Sequence, residues 1–340
     1  MTNPPEACLV AIFRNEGPHV LEWVAHHRAV GFTRIIVFTN GCDDGTDLIL
    51  DRLMSLGEVI HAPNPKVAFG QLGVWQVAAL RYVTHFGAFR HCEWVMTVDA
   101  DEFVDITPGG GTLTDLVATA PPFDLMSLTV VPFGSNGIDS IADGHVHGRF
   151  PLPCISLAAL AAGQSGPTSV KTLMRPGIPN AHFRNHRPKI DGFSGSSRVW
   201  VDGSGRPMPP EFTDRKINGW RADGALDLAH VDHYSLRSRE SFILKCLRGD
   251  AVTEGRIGLA TDRQIANAFS YWQERAAQTD VPHRPNIPAQ AQALLSQYLS
   301  DPELRVLHAA ALDAQRQMLG AILGTPAGAI LAERIGYHPA

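Results

Sequence analysis

The sequence predicts an α/β fold in which helices flank a mostly parallel central sheet, followed by a helical C-terminal tail. Through the first hundred residues, short apolar runs alternate with longer amphipathic stretches. This alternation is typical of strands and helices that follow one another around a parallel sheet. From residue 239 onward the pattern becomes helical, and the segment from about 290 to 335 is rich in alanine and leucine. We therefore expect a sheet in the first half of the chain and helices at its end.

The first elements can be assigned in order. The apolar run 8–13 is typical of a strand buried on both faces. Pro18 favours the start of a helix that extends to Ala29, and Gly31 is suited to end it. The remaining predictions are a strand at 34–39, a helix at 47–56, a strand at 58–61, a helix at 73–86 and a strand at 94–98.

Polar residues follow three of these four strands. They are Arg14, Asn15 and Glu16 after the first, residues 40–46 after the second, and residues 99–102 after the fourth. Ligands of such sheets bind beyond the carboxyl ends of the strands. We therefore expect these three segments to converge on one rim of the sheet.

Composition limits the classes of partner and the compartment. The chain has 340 residues with 29 basic and 34 acidic side chains, a net charge of −5, which argues against bulk electrostatic binding of nucleic acid or anionic membrane. The five cysteines are scattered without a C-x-x-C spacing, and neither a signal peptide nor a membrane-length apolar run is apparent. We expect a soluble cytoplasmic protein, with peripheral membrane contact through a partner or a lipid acceptor left open.

Asp99-Ala100-Asp101 is the only D-x-D in the chain. Two carboxylates one residue apart at a strand end can turn toward one ion, and hard oxygen ligands suit Mg²⁺ or Mn²⁺ bound to phosphate. A solvated turn is the alternative. The apolar run before the motif favours the metal site.

The other rim residues allow two interpretations. Asp43 and Asp44 belong either to a plain turn before a helix or to a site that hydrogen-bonds a nucleoside base or ribose. Arg14 and Asn15 are either a hydrated strand end or the groups that orient a diphosphate and base. Their rim position favours the second interpretation.

Taken together, the motifs resemble glycosyltransferase family 2-like proteins, the group related to family 92. The resemblance covers roughly residues 8 to 275. It is carried in order by residues 13–16, 21–23, 27, 31–32, 35–37, 40, 44–47, 94–103, 171–176, 186–189, 200–205, 233–234, 237–238, 240, 242 and 245.

The resemblance implies a GT-A fold, a nucleotide-sugar donor and inverting sugar transfer with a divalent cation. It assigns Asp99 and Asp101 to the metal and His233 as a further ligand, with His230 as the rival. Packing beside Tyr234 is the alternative role of His233.

Further residues gain a role from the same resemblance. Lys171, His186 and Arg187 are assigned to the diphosphate or acceptor side, with a solvated basic edge as the alternative. Gln76 corresponds to a position near the donor, or is a helix-surface glutamine. The complete set of expected nucleotide-sugar contacts is Arg14, Asn15, Glu16, Asp43, Asp44, Gln76, Asp99, Ala100, Lys171, His186 and Arg187.

The functional prediction is a metal-dependent inverting glycosyltransferase with Mn²⁺ or Mg²⁺ and a glycan, polysaccharide or glycolipid acceptor. Glu102 and Asp191 are the candidate catalytic bases. The alternatives are a metal-dependent nucleotide-sugar hydrolase or phosphoesterase and a catalytically silent nucleotide-sugar-binding module. We expect a glycosyltransferase domain at 1–275, divided into a nucleotide-binding half at 1–105 and an acceptor half at 106–275, with a helical extension at 276–340.

Overall fold

A mixed sheet of nine strands forms the centre of the fold. The computed structural model describes residues 4–69, 74–141, 146–164, 168–213, 225–249, 257–276, 279 and 281–338. Within these ranges the strands are β1 (Ala7–Phe13), β2 (Arg34–Thr39), β3 (Ile60–Pro63), β4 (Trp94–Thr97), β5 (Glu102–Ile106), β6 (Leu125–Pro132), β7 (Val170–Met174), β8 (Ala181–His182), β9 (Lys189–Ile190), β10 (Trp200–Asp202) and β11 (Ala229–His233).

The strand order in the sheet is β3-β2-β1-β4-β7-β6-β11-β5, and β10 pairs with β6 beside this path. The neighbours β3, β2, β1 and β4 are parallel, as are β6 with β11 and with β10. Strand β7 is antiparallel to both its neighbours, and β5 is antiparallel to β11 at the edge. Strands β8 and β9 form a separate antiparallel pair. The predicted α/β class with a mostly parallel sheet is confirmed.

Helices cover the sheet and continue into the C-terminal region. In the described ranges they are α1 (Gly17–Val30), α2 (Thr46–Ser55), α3 (Pro65–Phe69), α4 (Trp75–Tyr82), α5 (Gly87–Arg90), α6 (Leu113–Thr119), α7 (Val146–Arg149), α8 (Leu157–Ala161), α9 (Pro210–Thr213), α10 (Arg239–Arg248), α11 (Asp262–Ala276), α12 (Ala289–Ser300), α13 (Pro302–Leu323) and α14 (Pro326–Arg334). None of them combines the length and apolar character needed to cross a bilayer.

The third predicted strand is displaced along the chain. It was expected at 58–61 and begins at Ile60. Gly57 adopts a φ of +79° and turns the chain after α2, and the Glu58 N–H donates to the Leu53 carbonyl at 2.9 Å. These residues therefore end the helix, and the strand starts two positions later.

The third predicted helix is shorter than expected. The periodicity indicated 73–86, whereas α4 ends at Tyr82 and a 3₁₀ turn, Val83–His85, follows. Phe86 is extended, with φ −73° and ψ 132°, which ends the helical segment. Gly73, the expected first residue, lies outside the described residues.

Helix α1 is enclosed between the sheet and the C-terminal helices. Helices α12 and α13 pack against α1, and α13 also packs against α2. The approach is close at the start of α1, because a Cβ at Gly17 would lie 2.6 Å from the Ala311 Cβ. The predicted helical tail is confirmed, and it covers the element that follows the first strand. The domain boundary at residue 275 stays a prediction.

Candidate functional site

The rim segments after β1 and β2 contact each other as predicted. The Asp43 N–H donates to Asn15 Oδ1 at 2.8 Å, and the Gly17 N–H donates to Asp44 Oδ2 at 3.0 Å. Asn15 has a φ of +53°, a left-handed conformation that is uncommon for a residue with a side chain. Asp44 thus fixes the start of α1, because its carboxylate accepts a hydrogen bond from the Gly17 N–H.

The D-x-D motif lies in the turn between β4 and β5. Trp23 of α1 fixes this turn, because its indole Nε1–H donates to the carbonyls of Asp99, at 3.1 Å, and Glu102, at 3.0 Å. The turn is therefore held by a strand on each side and by a buried tryptophan below. The strand after the motif was not predicted from the sequence.

Lys171 lies at the centre of the carboxylates near Asp99. Its ammonium is fully buried and lies 2.9 Å from Asp99 Oδ2 and 2.8 Å from Glu102 Oε2, and it donates to Asn185 Oδ1 at 2.7 Å. Gln76 is also buried, and its Nε2–H donates to Asp99 Oδ1 at 3.2 Å. The structure therefore brings Gln76 and Lys171 together with the first aspartate of the motif.

Burial and the Lys171 charge act against each other on these carboxyl groups. Burial favours the neutral acid, but Lys171 holds the pKa of Asp99 below its usual value. Burial is the largest effect on Glu102 and raises its pKa despite the same lysine. For Lys171, burial lowers the pKa, and the two carboxylates more than offset it.

Asp101 faces a different pair of partners. Lys245 Nζ donates to Asp101 Oδ2 at 2.7 Å, and His233 Nε2 lies 3.5 Å from Asp101 Oδ1. Burial opposes ionisation of Asp101, yet Lys245 and His233 hold its pKa well below the usual value. The second aspartate of the motif and the predicted histidine are thus neighbours.

Glu16 is buried between two arginines. Arg237 Nη1 donates to Glu16 Oε2 at 2.7 Å, and Arg248 contacts the other carboxylate oxygen. Despite burial, Arg248 and Arg237 lower the pKa of Glu16. Arg237 also donates to the Ala100 carbonyl at 2.8 Å, and its φ of +52° is left-handed. The rim residue after β1 is therefore tied directly to the D-x-D turn.

We call this set of charged side chains the front cluster. It comprises Glu16, Asp99, Asp101, Glu102, Lys171, His233, Arg237, Lys245 and Arg248.

A cleft opens beside Asp101. Its charged lining consists of Glu16 and Asp101 against Arg237, Lys245 and Arg248. The lining thus has one more lysine or arginine than carboxylates. A concave site with such a lining suits an anionic ligand, since lysine and arginine form charge-assisted hydrogen bonds to phosphate.

Four residues of this region were not assigned to the site from the sequence, namely Arg237, Lys245, Arg248 and Gln315. Lys245 and Arg248 share one face of α10 through their i, i+3 spacing, which was the signal available for both. Gln315 of α13 donates to Asp44 Oδ2 at 2.8 Å and to the Asn15 carbonyl at 3.0 Å. No sequence pattern marks this glutamine, which comes from the predicted extension.

Arg14 lies at the rim, and His186 lies behind Asp99. Arg14 Nη1 donates to the Arg248 carbonyl at 3.3 Å. His186 Nδ1 lies 3.2 Å from the Val170 carbonyl, next to Lys171 in the chain. Burial, assisted by the Lys171 charge, lowers the pKa of His186 to about 4. His186 is therefore neutral near pH 7.

Arg187 and Asp191 lie outside the front cluster. The Arg187 guanidinium is buried, lies 4.7 Å from the Phe212 ring centroid and donates to the Thr213 carbonyl at 3.2 Å. Asp191 is exposed and lies 2.9 Å from Lys189 Nζ. The position of Arg187 favours a packing role against Phe212. Asp191 stands at the surface, beyond the short strand β9.

A second group of side chains can hold a metal ion. We call Asp105, His230, Asp232 and His283 the back cluster. Each offers one ligand atom, and these atoms lie within 4.8 Å of one another. His230, the sequence-based rival for the metal shell, belongs to this cluster, whereas His233 belongs to the front cluster.

The register of β5 and β11 separates the two clusters. Glu102 pairs with His233, and Asp105 pairs with His230. Successive side chains of a strand point to opposite faces, so positions 102 and 233 share one face, and positions 105, 230 and 232 share the other.

Comparison with known proteins agrees with the resemblance in the first part of the chain. Residues 6–141 match the family model described as Glycosyltransferase family 92. A glycosyltransferase family 92 protein of Ricinus communis is 31% identical over 115 residues, which cover 34% of this chain and 19% of the relative. A family 92 protein of Oryza sativa subsp. japonica is 31% identical over 111 residues, which cover 32% of this chain and 18% of the relative. The matched segment thus spans about a fifth of these relatives. The family resemblance is confirmed over residues 6–141.

The solved structures that match the chain are distant from it. S. aureus TarS 1–349 is 11% identical, with 93% of this chain and 90% of that chain covered and a TM-score of 0.34. Glucosyl-3-phosphoglycerate synthase from Mycobacterium tuberculosis is 16% identical. The match covers 50% of this chain and 57% of that chain, with a TM-score of 0.28. The description of the fold therefore rests on the strand order and register given above.

Proposed function

We propose that the protein is a metal-dependent inverting glycosyltransferase of the GT-A type. It would transfer a sugar from a nucleotide-sugar donor to a hydroxyl group of a glycan, polysaccharide or glycolipid. One observation carries the proposal: Asp101 of the D-x-D, within a segment that matches family 92, lies 3.5 Å from His233 and lines a cleft together with Arg237, Lys245 and Arg248.

The chemistry of the front cluster fits a divalent cation. Asp101 Oδ1 and His233 Nε2 lie 3.5 Å apart, close to the separation of two ligands on one ion. A carboxylate and a neutral imidazole together suit Mn²⁺. We propose Asp99, Asp101 and His233 as the ligands of Mn²⁺ or Mg²⁺. When bound, the cation would supply positive charge that stabilises the departing nucleotide diphosphate.

The remaining front residues would bind and orient the donor. Arg237, Lys245 and Arg248 lie in the cleft and would neutralise phosphate oxygens that the acidic chain as a whole repels. Asn15, Glu16 and the segment 43–44 form the rim where the nucleoside would lie. Lys171 and Gln76 would fix Asp99 in the orientation that the reaction needs.

Inverting transfer requires a base that accepts the proton of the acceptor hydroxyl. Glu102 and Asp191 remain our two proposals. The raised pKa of Glu102 suits a base, but its carboxylate is buried and accepts hydrogen bonds from the Asp99 N–H and Lys171. Asp191 is accessible to a large acceptor. Glu102→Gln and Asp191→Asn would separate the two, since only loss of the base should remove transfer while nucleotide binding persists.

The proposed reaction can be tested with donors and acceptors. The protein is incubated with Mn²⁺ and a panel of UDP-, GDP- and dTDP-sugars, with and without glycan or lipid-linked acceptors. Nucleotide release that depends on the acceptor supports transfer. Release that is unaffected by acceptor identifies a hydrolase instead. Nucleotide binding that raises the Tm without turnover of any donor identifies a silent binding module.

Asp101→Asn tests the residue on which the proposal depends most. The substitution removes the charge beside His233 and Lys245, and we expect kcat/KM to fall by about 10²–10³-fold. Asp313→Asn is the matched control, because Asp313 lies exposed on α13 and pairs only at the surface with Arg316. Unchanged turnover in Asp101→Asn would contradict the mechanism, provided that its circular dichroism spectrum and Tm match those of the control.

A further inference from the structure

The back cluster joins three parts of the chain that are distant in sequence. Asp105 lies on the edge strand β5, His230 and Asp232 lie on β11, and His283 lies in the segment before α12. Two imidazole nitrogens and two carboxylates therefore meet at one point. This is a donor set that divalent transition metals bind.

The separations match the edges of a tetrahedron around one ion. His230 Nε2 lies 3.4 Å from His283 Nε2, 3.2 Å from Asp232 Oδ1 and 3.5 Å from Asp105 Oδ2. His283 Nε2 lies 3.0 Å from Asp105 Oδ2 and 3.6 Å from Asp232 Oδ2. A tetrahedral zinc ion with bonds of about 2.0–2.1 Å places its ligands about 3.3–3.4 Å apart. These five separations of 3.0–3.6 Å lie close to this spacing, with His230 facing Oδ1 of Asp232 and His283 facing its Oδ2.

Burial supplies an independent observation. Asp232 is fully buried, and its Oδ1 has no hydrogen-bond partner, although it points toward His230 Nε2. A buried carboxylate oxygen without a donor is costly and calls for a cation. His230 Nε2 and His283 Nε2 can each carry at most one proton, so these two atoms cannot donate to each other and to every carboxylate oxygen that faces them.

Outer contacts hold the carboxylates in place. The Tyr234 hydroxyl lies 3.4 Å from Asp232 Oδ2 and donates to it, and the Asn286 N–H donates to Asp105 Oδ1 at 3.2 Å. Metal ligands are commonly oriented by such second partners. The oxygens that face the histidines are therefore held in a fixed direction.

We propose that the back cluster binds one Zn²⁺ ion in a closed tetrahedral site. The two aspartates balance the charge of the ion, and the four protein ligands leave no coordination position for a substrate. The ion fastens the segment around His283, which leads into α12, to the edge of the sheet. Its role is structural, it lies on the opposite face of β5 and β11 from the front cluster, and it does not depend on the proposed transferase activity.

The metal content of the 340-residue chain tests the proposal directly. The protein is purified without a polyhistidine tag, dialysed against metal-free buffer and measured by inductively coupled plasma mass spectrometry. We expect about one zinc per chain, as for a buried site with this many protein ligands. Replacement by Co²⁺ should give the intense visible absorption of tetrahedral cobalt. Protein that is free of zinc, and that neither gains Tm with added Zn²⁺ nor shows these bands with Co²⁺, would overturn the proposal.

Variants locate the ion. His283→Ala removes the least buried ligand and should lose most of the zinc and the cobalt bands while remaining folded. Asp232→Asn should do the same if it folds. His91→Ala, at an exposed histidine, and Asp101→Asn, in the front cluster, should keep the zinc. Loss of zinc in Asp101→Asn with retention in His283→Ala would place the ion at the front cluster and refute the assignment.

Discussion

The front and back clusters both contain carboxylates and both take side chains from β5 and β11, but they differ in the cations that face the carboxylates. Each front carboxylate contacts a lysine or an arginine, as Asp99 contacts Lys171 and Asp101 contacts Lys245. In the back cluster, Asp105 and Asp232 face histidines. Lysine and arginine neutralise a carboxylate but offer no lone pair to a metal, whereas neutral imidazole does. This difference agrees with the two proposals, an anion beside a cation at the front cluster and a cation alone at the back cluster.

The same strand pair produces both environments because side chains alternate along it. His233 and Asp232 are adjacent in sequence, yet one faces the D-x-D turn and the other faces His283. A shift of one residue in the pairing of β11 with β5 would exchange these two sets of side chains. The register of one antiparallel pair thus determines which histidine serves which cluster.

The largest effect on stability is expected from removing Lys171, which contacts both Asp99 and Glu102. Lys171→Met would leave Asp99 and Glu102 near each other without their cation, in a site where Lys171 is fully buried. Breaking a buried ion pair from one side typically costs about 3–5 kcal/mol of unfolding free energy. Urea denaturation at pH 7 measures this loss.

Lys189→Met is the matched control for this substitution. Lys189 also pairs with an aspartate, Asp191, but at the surface. Exposed pairs contribute about 0–1 kcal/mol. Adding Glu102→Gln to Lys171→Met should restore part of the stability, because one of the unpaired carboxylates is then neutral. Equal costs for the two lysine substitutions would mean that water, and not Lys171, compensates the front carboxylates.

A smaller loss of stability is expected at acidic pH, through protonation of the buried His26. Burial and the nearby His147 lower the pKa of His26 to about 4, although the Val104 carbonyl, Asp105 and Glu22 act in the opposite direction. In the unfolded chain a histidine has a pKa of about 6.5. Protonation therefore favours unfolding, and stability is lost as the pH falls from about 6.5 toward 4, by at most about 1.4 kcal/mol per pH unit.

His26→Gln should reduce this dependence on pH while keeping a donor for the Val104 carbonyl. Urea midpoints at pH 7, 6 and 5 give the slope for the native chain and the variant. His91→Gln, at an exposed position, should leave the slope unchanged. A native slope that persists in His26→Gln would show that other groups titrate during acid unfolding.

The smallest effect concerns the contact between the tail and the rim. Gln315→Met would remove the donor to Asp44 Oδ2 and to the Asn15 carbonyl, at a cost of about 1–2 kcal/mol in stability. If the tail shapes the donor site, the KM for the nucleotide-sugar should rise several-fold while kcat changes little. Gln292→Met, at an exposed position of α12, is the control. An unchanged KM would show that Gln315 contributes to stability but not to donor binding.

Much of the first half could be predicted because its signals are local. Apolar runs marked β1, β2 and β4, and the polar segments behind them indicated the rim where Asn15, Asp43 and Asp44 meet. Strand β5 escaped prediction because its charged residues, Glu102 and Asp105, break the apolar pattern. Each is buried only because the fold supplies a partner from elsewhere in the chain.

The sequence by itself determined the alternation of strands and helices, the helical tail, the D-x-D at a strand end and the similarity of the first part to family 92. Only the tertiary structure decided which cation faces which carboxylate. Lys245 reaches Asp101 across 144 positions of sequence, and Gln315 reaches Asp44 across 271. Such long-range pairs leave no periodic pattern in the sequence, because they depend on how separate helices pack. The division of His230 and His233 between the back and front clusters likewise depends on the register of β11 against β5, which exists only in the folded chain.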